Sequence, residues 1–473
     1  MRECTVAVFT LVTVLLVTGL LMDIHFLGHF ASTMIKDWTS DLNSINKMER
    51  ETRHGTRGRQ TRTNTKNRAI RQTGTKNRAV NQTDIRNRAI ALTHIRNLEI
   101  SRTDKRNRTI SHTDRWDHGT KLTSLACPYN NSSPPLDDKT RKTYEIHDLL
   151  RVKTPAFLSN YKNPCWEQDN PSKLVCLPYF YLAGFPKCGT TFTFSTIVGH
   201  PEAVKGKVKE PHWIARKRFK ERSDLQCYVD KFSPAARVID SEVSIDPLTG
   251  QTFHPIITGD GSASTAWHNP NWRYLPGNYN CTEPRVLTPH YLYHLNPSTK
   301  VIILVRNPTE RVISGYNYFI RGHITAESFH AKMVQDLRTF EDCCSKYSFR
   351  VCAYNDNIRL PIGLYHVFIR DWMNVFPADQ ILIVRLEDIR GDPFRAFTRI
   401  FNFLGLSHVS RSDLREILNS SRMNDKRKRF QATNETLRLL DDFYRPHNIQ
   451  LARLLQQHDP NSYLSIQDAM YSH

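Results

Sequence analysis

The chain has 473 residues and a formal charge of +20, enough for one large α/β domain with appendages or for two smaller domains. The basic surplus is local, because residues 51–122 hold 18 Lys and Arg against 6 Asp and Glu. Anionic lipids, acidic glycans and nucleic acids would all be attracted to such a segment, so DNA binding does not follow from the charge, and no nucleic-acid partner is expected.

Residues 5–22 form an uncharged apolar run between Arg2 and Glu3 on one side and Asp23 on the other. The run is just long enough to span a bilayer. A cleaved signal peptide has an overlapping length, but the nearest small-residue site, Ala31-Ser-Thr, lies well downstream. The expectation is a four-residue cytoplasmic head (1–4), a signal-anchor (5–22) and a lumenal remainder. Residues 23–126 read as a basic stalk. Within it a decapeptide recurs over 63–112, from TNTKNRAIRQ through TGTKNRAVNQ and TDIRNRAIAL to TDKRNRTISH. One apolar side chain per ten residues cannot build a packed core. The segment is expected to be a flexible or partly helical stalk, or a tethered basic tract that retains an acidic polysaccharide.

The globular domain is expected over 127–473. Apolar runs predict strands at 177–184, 236–241, 300–306 and 380–386, with a strand-to-loop passage at 255–265. Helices are expected at 190–199, 221–231, 289–295, 308–320, 326–346, 358–375, 393–404 and 434–456, and a basic loop at 205–220. The continuous runs Val301-Ile-Ile-Leu-Val305 and Ile381-Leu-Ile-Val384 suit parallel strands covered on both faces. Strands alternating with helices imply a three-layer α/β fold, like that of P-loop proteins, with ligands at the carboxyl ends of a central parallel sheet.

Ten cysteines include Cys4 and Cys188; the other eight, at 127, 165, 176, 227, 281, 343, 344 and 352, allow up to four disulfides in an oxidising lumen. No paired C-x2-C units appear, so a zinc site is not expected. Sequons at Asn81, Asn107, Asn130, Asn131, Asn280, Asn419 and Asn434 suit the same compartment.

The stretch Tyr181-Leu-Ala-Gly-Phe-Pro-Lys-Cys-Gly-Thr-Thr191 carries most of the functional information. It reads as a strand end, a tight loop and a helix start, which offers free backbone N–H groups and a positive dipole end to an anion. Gly184-x4-Gly189 imitates an ATP-binding P-loop, yet Lys187 stands inside the loop and Thr190 where that motif needs its lysine. A second strand ends in Arg306, Pro308 opens a helix, and Ser314 follows two turns in. Arg306 and Ser314 could hold a second phosphate. No strand ends in a magnesium-binding aspartate, which argues against an ATPase or kinase.

Together these motifs resemble the sulfotransferase family that uses 3′-phosphoadenosine 5′-phosphosulfate. The resemblance implies that Lys187, Cys188, Gly189, Thr190 and Thr191 grip the 5′-phosphosulfate, and Arg306 and Ser314 the 3′-phosphate. It implies a basic loop over that phosphate at Lys426-Arg427-Lys428. Lys209-Glu-Pro-His-Trp213, 261–267, 385–388 and Asp392-Pro393 look like carbohydrate sulfotransferases, most of all the N-acetylgalactosamine 4-sulfate 6-O-sulfotransferase group. That likeness covers roughly 170–455 and does not extend to the decapeptides. It implies a Golgi single-pass type II enzyme acting on a glycosaminoglycan such as chondroitin or dermatan sulfate, a possible homodimer, and sulfuryl transfer without a metal.

A sugar hydroxyl is a poor nucleophile and needs a base. Glu210 is the first candidate and His212 the second, while Lys187 would stabilise the leaving phosphate. Glu210 could instead simply pair with Lys207 or Lys209. Cys188 could be a thiol activated by the positive loop or a small side chain tolerated there. Lys205, Lys207, Lys209, Arg216, Lys217, Arg218 and Lys220 could bind an acidic glycan, and Trp267, Trp272 and Tyr274 could stack on sugars. The resembling group usually has Glu where this chain has Asp260, which bears on the acceptor. The alternatives are heparan or tyrosine sulfation, a non-catalytic glycosaminoglycan-binding protein, and an ATP-dependent kinase.

Overall fold

The computed structural model describes residues 138–168, 173–220, 224–245, 250–320, 325–355, 358–421 and 430–458. The expected head, anchor and stalk lie outside these residues, as do Lys426, Arg427 and Lys428. Among the described residues no helix is long and apolar enough to cross a membrane.

A helix α1 (Asp138–Ile146) precedes the strands. A hairpin of β1 (Cys165–Gln168) and β2 (Lys173–Cys176) follows, with Cys165 opposite Cys176 and bonded to it. β3 (Phe180–Gly184) is buried at every position and leads into helix α2 (Thr190–Ile197). Next come β4 (Ala203–Lys205), helix α3 (Ser233–Ser241), a short ladder of β5 (Ser244–Ile245) with β6 (Thr252–Phe253), and β7 (Ile257–Asp260). The remainder is α4 (Thr288–Leu295), β8 (Lys300–Val305), α5 (Pro308–Phe319), α6 (Ala326–Lys346), α7 (Tyr365–Met373), β9 (Ile381–Arg385), α8 (Leu386–Gly391), α9 (Pro393–Phe403), α10 (Arg411–Ser420) and α11 (Asn434–His458).

The five longer-range strands form one parallel sheet in the order β4-β7-β3-β8-β9. β3, first of the five in sequence, lies at the centre, so the connections run to both sides of it and ligands are expected outside its carboxyl end. Val301 to Val305 are fully buried, as a strand covered on both faces must be. Helix starts follow their caps: Asn307 accepts from Glu310 N at 3.2 Å and Asp392 from Arg395 N at 3.0 Å, each just before a proline.

Several local expectations change. Residues 236–241 are not a strand but part of α3; Pro234 opens that helix, and the buried Ala235, Ala236 and Ile239 have helical spacing. The loop at 205–220 contains a π-helical turn, Trp213–Lys217, and a helical turn, Arg218–Lys220. The helix expected at 221–231 is described only as Leu225–Val229 with a 3₁₀ turn to Phe232, and that at 358–375 is a 3₁₀ turn followed by α7. The hairpin, β4 and α10 were not expected. Two of the possible disulfides are Cys165–Cys176 and Cys343–Cys352, and Cys281 is also disulfide-bonded.

Candidate active site

Among the described residues, five of the motifs singled out for chemistry follow strands of the five-stranded sheet at their carboxyl ends. The Lys187 loop follows β3, residues 209–212 follow β4, 261–264 follow β7, Arg306 follows β8 and 386–388 follow β9. Parallel strands bring these ends to one edge, although Lys187 and Asp388 lie about 200 positions apart in the chain.

The donor-side loop is held in an unusual conformation. Lys187 has φ 70° and Gly189 φ 87°. A side chain at 189 would be strained by that φ, and its Cβ would stand 2.7 Å from Leu386 Cδ1. Lys187 has no such freedom, and a non-glycine residue held there costs about 1–3 kcal/mol, a pattern that clusters at functional sites. The first N–H groups of α2, at Thr190 and Thr191, have no partner within the helix and carry its positive dipole end. Thr190 is buried and Thr191 exposed. The Cys188 side chain turns inward against the Tyr365 hydroxyl, 3.6 Å away. Burial pushes its thiol up to about 11, more than Tyr365 and nearby guanidiniums bring it down, so the tolerated small side chain is the reading the structure favours over the activated thiol.

Arg306 joins the two candidate anion motifs. Its Nη1 donates to the carbonyl of Lys187 at 3.2 Å, while Nε and Nη2 donate to Glu310 Oε2 at 3.0 and 2.6 Å. Arg390 approaches the same carboxylate at 3.7 Å. Ser314 is half-buried two turns along α5. The segment after β9 acts as backing: Leu386 fills the space behind Gly189, Glu387 accepts from Asn307 N at 2.9 Å, and Asp388 binds Arg385 at 2.5 Å.

The acceptor-side candidates also come together. Glu210 Oε2 lies 2.9 Å from His212 Nε2, and Oε1 bonds the ammonium of Lys209. Burial would raise the Glu210 carboxyl, but the His212 hydrogen bond and the Lys209 charge outweigh it and hold the group down at about 2. An ionised carboxylate only accepts, so His212 donates from Nε2, and its Nδ1 is hydrogen-bonded to the Ser264 hydroxyl, 2.7 Å away. His212 has φ 52° and caps the π-helical turn, and its backbone N donates to Ser262 Oγ at 2.8 Å. Lys187 and His212 are thus two of the three non-glycine residues with positive φ among the described residues.

The segment after β7 ties the two sides together. Ser262 and Ser264 hold His212, whereas Ala266 N donates to Ala183 O, in the strand that leads to Lys187, at 2.7 Å. Asp260 supports this segment: Oδ1 accepts from Ser262 N and Oδ2 from the Tyr228 hydroxyl, each at 2.8 Å. It is fully buried, and burial pushes its carboxyl up. Arg218 is buried between the rings of Phe219 and Tyr291, and Trp272 is buried too, so neither faces an acceptor. Sequence reasoning passed over Tyr318, whose ring centroid lies 3.7 Å from Lys187 Nζ. Among the described residues no group of three or more His, Cys, Asp or Glu side chains is placed to hold a metal ion.

The sulfotransferase domain family matches residues 178–445. The chain belongs to the sulfotransferase family, among its carbohydrate sulfotransferases. It is 36% identical to human carbohydrate sulfotransferase 15 over 384 residues, covering 68% of each chain. It is 35% identical to the mouse protein of that name, covering 69% of this chain and 61% of that one. Among solved structures, a sulfotransferase from Alicyclobacillus acidocaldarius overlaps it with a TM-score of 0.40 at 18% identity, over 60% of this chain and 97% of the other.

Proposed function

We propose that this sulfotransferase moves a sulfuryl group from 3′-phosphoadenosine 5′-phosphosulfate to a hydroxyl of a glycosaminoglycan. The favoured target is the 6-hydroxyl of N-acetylgalactosamine 4-sulfate in chondroitin or dermatan sulfate, as the sequence likeness to the carbohydrate sulfotransferase 15 proteins suggests. One observation carries the donor assignment: Arg306 is hydrogen-bonded to the carbonyl of Lys187, so the two anion motifs form a single site. Its donor groups, two helix N–H groups, an ammonium and a guanidinium, suit a ligand with phosphates at two ends.

In the reaction the acceptor oxygen attacks sulfur, the bond from sulfur to the 5′-phosphate oxygen breaks, and the electron pair stays with the phosphate. Lys187 stabilises the charge that develops there. Glu210 takes the proton of the acceptor hydroxyl. Both ring nitrogens of His212 are engaged, whereas among the described residues Oε1 of Glu210 is shared only with the long, movable Lys209 side chain. That favours Glu210 as base and His212 as the group that orients it. Release of Lys209 to an anionic acceptor would return basicity to Glu210 at the moment it is needed. A Golgi membrane location with the catalytic domain in the lumen completes the reading.

The test is transfer of labelled sulfate from the donor to chondroitin 4-sulfate, with disaccharide analysis of the product. Wild type is expected to transfer, and Lys187→Ala and Glu210→Ala to fail while still melting cooperatively. Equal heparin binding by all three with no transfer by any would leave only a glycan-binding protein.

A further inference from the structure

The C-terminal end of α5 exposes three large apolar side chains in a row. Tyr318, Phe319 and Ile320 are 50%, 42% and 41% accessible. A contiguous exposed apolar strip beside a reaction centre marks a binding surface rather than a core residue left over. The contacts along it are continuous. Lys187 Nζ lies 3.7 Å from the Tyr318 ring centroid, the Tyr318 and Phe319 rings meet edge to face at 4.8 Å, and the Arg359 guanidinium lies 4.1 Å from the Phe319 centroid.

Arg359 is fixed from below, because its carbonyl accepts from Arg311 Nη2 at 2.9 Å. Burial lowers its pKa first, and the neighbouring charges of Arg311 and Arg216 lower it further. Arg216 belongs to the π-helical turn that His212 opens. The strip runs from the lysine of the donor loop to the Arg359 guanidinium. Its chemistry is aromatic faces followed by a guanidinium. An acidic polysaccharide has the complementary make-up, with apolar C–H faces on each sugar ring and a carboxylate or sulfate at its edge.

We infer that Tyr318, Phe319 and Arg359 form an acceptor subsite. A sugar ring of the acidic glycan packs on the two aromatic rings, and its anionic group is taken by Arg359. The inference rests on the glycosaminoglycan reading above and names the residues that would give it specificity. Phosphosulfate held by Lys187 would draw its ammonium away from the Tyr318 ring and towards the donor.

The experiment measures binding alone. The full chain, saturated with adenosine 3′,5′-bisphosphate, is titrated with unsulfated chondroitin and with chondroitin 4-sulfate oligosaccharides. Tyr318→Ala and Arg359→Gln should each weaken polysaccharide binding by about tenfold, and Tyr318→Phe should stay within about twofold of wild type. Bisphosphate affinity should remain within about twofold of wild type in Phe319→Ala and Arg359→Gln. For Arg359→Gln, an equal loss with both polysaccharides assigns the anion as carboxylate, and a larger loss with the 4-sulfated one assigns it as sulfate. Unchanged polysaccharide affinity in both Tyr318→Ala and Arg359→Gln, with cooperative melting retained, overturns the subsite. Because no turnover is read, absence of transfer in wild type would count against the catalytic reading and not against this one.

Discussion

The two halves of the site are built differently. On the donor side, Lys187, Gly189 and Arg306 are pinned by backbone and packing contacts: Leu386 behind Gly189, the Lys187 carbonyl on Arg306, and Glu387 on the N–H of Asn307. On the acceptor side, Glu210 is held by side chains, one of them a lysine with four rotatable bonds, and Tyr318 and Phe319 are half open to solvent. A rigid donor pocket suits one unchanging nucleotide. A side built from long charged groups and exposed rings can be altered without disturbing the sheet, and that is where acceptor choice can vary.

The comparison breaks first at the catalytic groups. Lys187→Ala should lower kcat by about 10³-fold, in the range of losing a preorganised charge stabiliser, when transfer is measured with both substrates saturating. Glu210→Gln should lower kcat by about 10²–10³-fold and leave the Kd of adenosine 3′,5′-bisphosphate unchanged, since it belongs to the other half. A matching loss of bisphosphate affinity would show that the halves are not separate.

Smaller effects sharpen the picture. Ser264→Ala removes the hydrogen-bond partner of His212 Nδ1 and should reduce kcat by about tenfold, with little change in either KM, if His212 orients Glu210. Gly189→Ala forces a Cβ against Leu386 at a left-handed φ and should destabilise the fold by about 1–3 kcal/mol in denaturant titration, while weakening bisphosphate binding.

The smallest expected effect is on pH. Glu210 is depressed from 4.5 to about 2, so its folded-state interactions stabilise the protein fully above pH 4.5 and less as pH falls towards 2. The difference in melting temperature between wild type and Glu210→Gln should therefore be constant from pH 7 to pH 5 and shrink below pH 4.5. A difference that grows below pH 4.5 would contradict the Glu210–Lys209 ion pair.

The donor half was legible in the sequence because its information is local. The order Gly184, Lys187, Gly189, Thr190 fixes a loop within one strand-to-helix turn, and the Arg306 to Ser314 spacing lies on one helix start. The acceptor half is assembled from residues distant in sequence. Glu210 and His212 stood out, but Ser264 as a partner for His212 depends on β4 lying beside β7, which spacing does not encode. Tyr318 gave no signal, since a tyrosine near a helix end is commonplace until Lys187 is found over its ring. The strand expected at 236–241 failed for a related reason: in a short apolar run, helical and strand periodicity differ by only a residue or two, and Pro234 with the buried Ala235, Ala236 and Ile239 decided for the helix. The sequence marks Asp260 only as a departure from the Glu of the resembling group, whereas its register opposite Tyr181 places it inside the sheet, where it supports Ser262.

The central claim is that the Lys187 loop and Arg306 make one site with separate phosphate positions. Titration of wild type and Arg306→Ala with adenosine 3′,5′-bisphosphate and with adenosine 5′-phosphate tests it most directly. Wild type should bind the bisphosphate at least about tenfold more tightly, and Arg306→Ala should lose that advantage while binding the monophosphate as before. A bisphosphate advantage that survives in Arg306→Ala, or wild-type binding of ATP with magnesium in its place, would contradict the account.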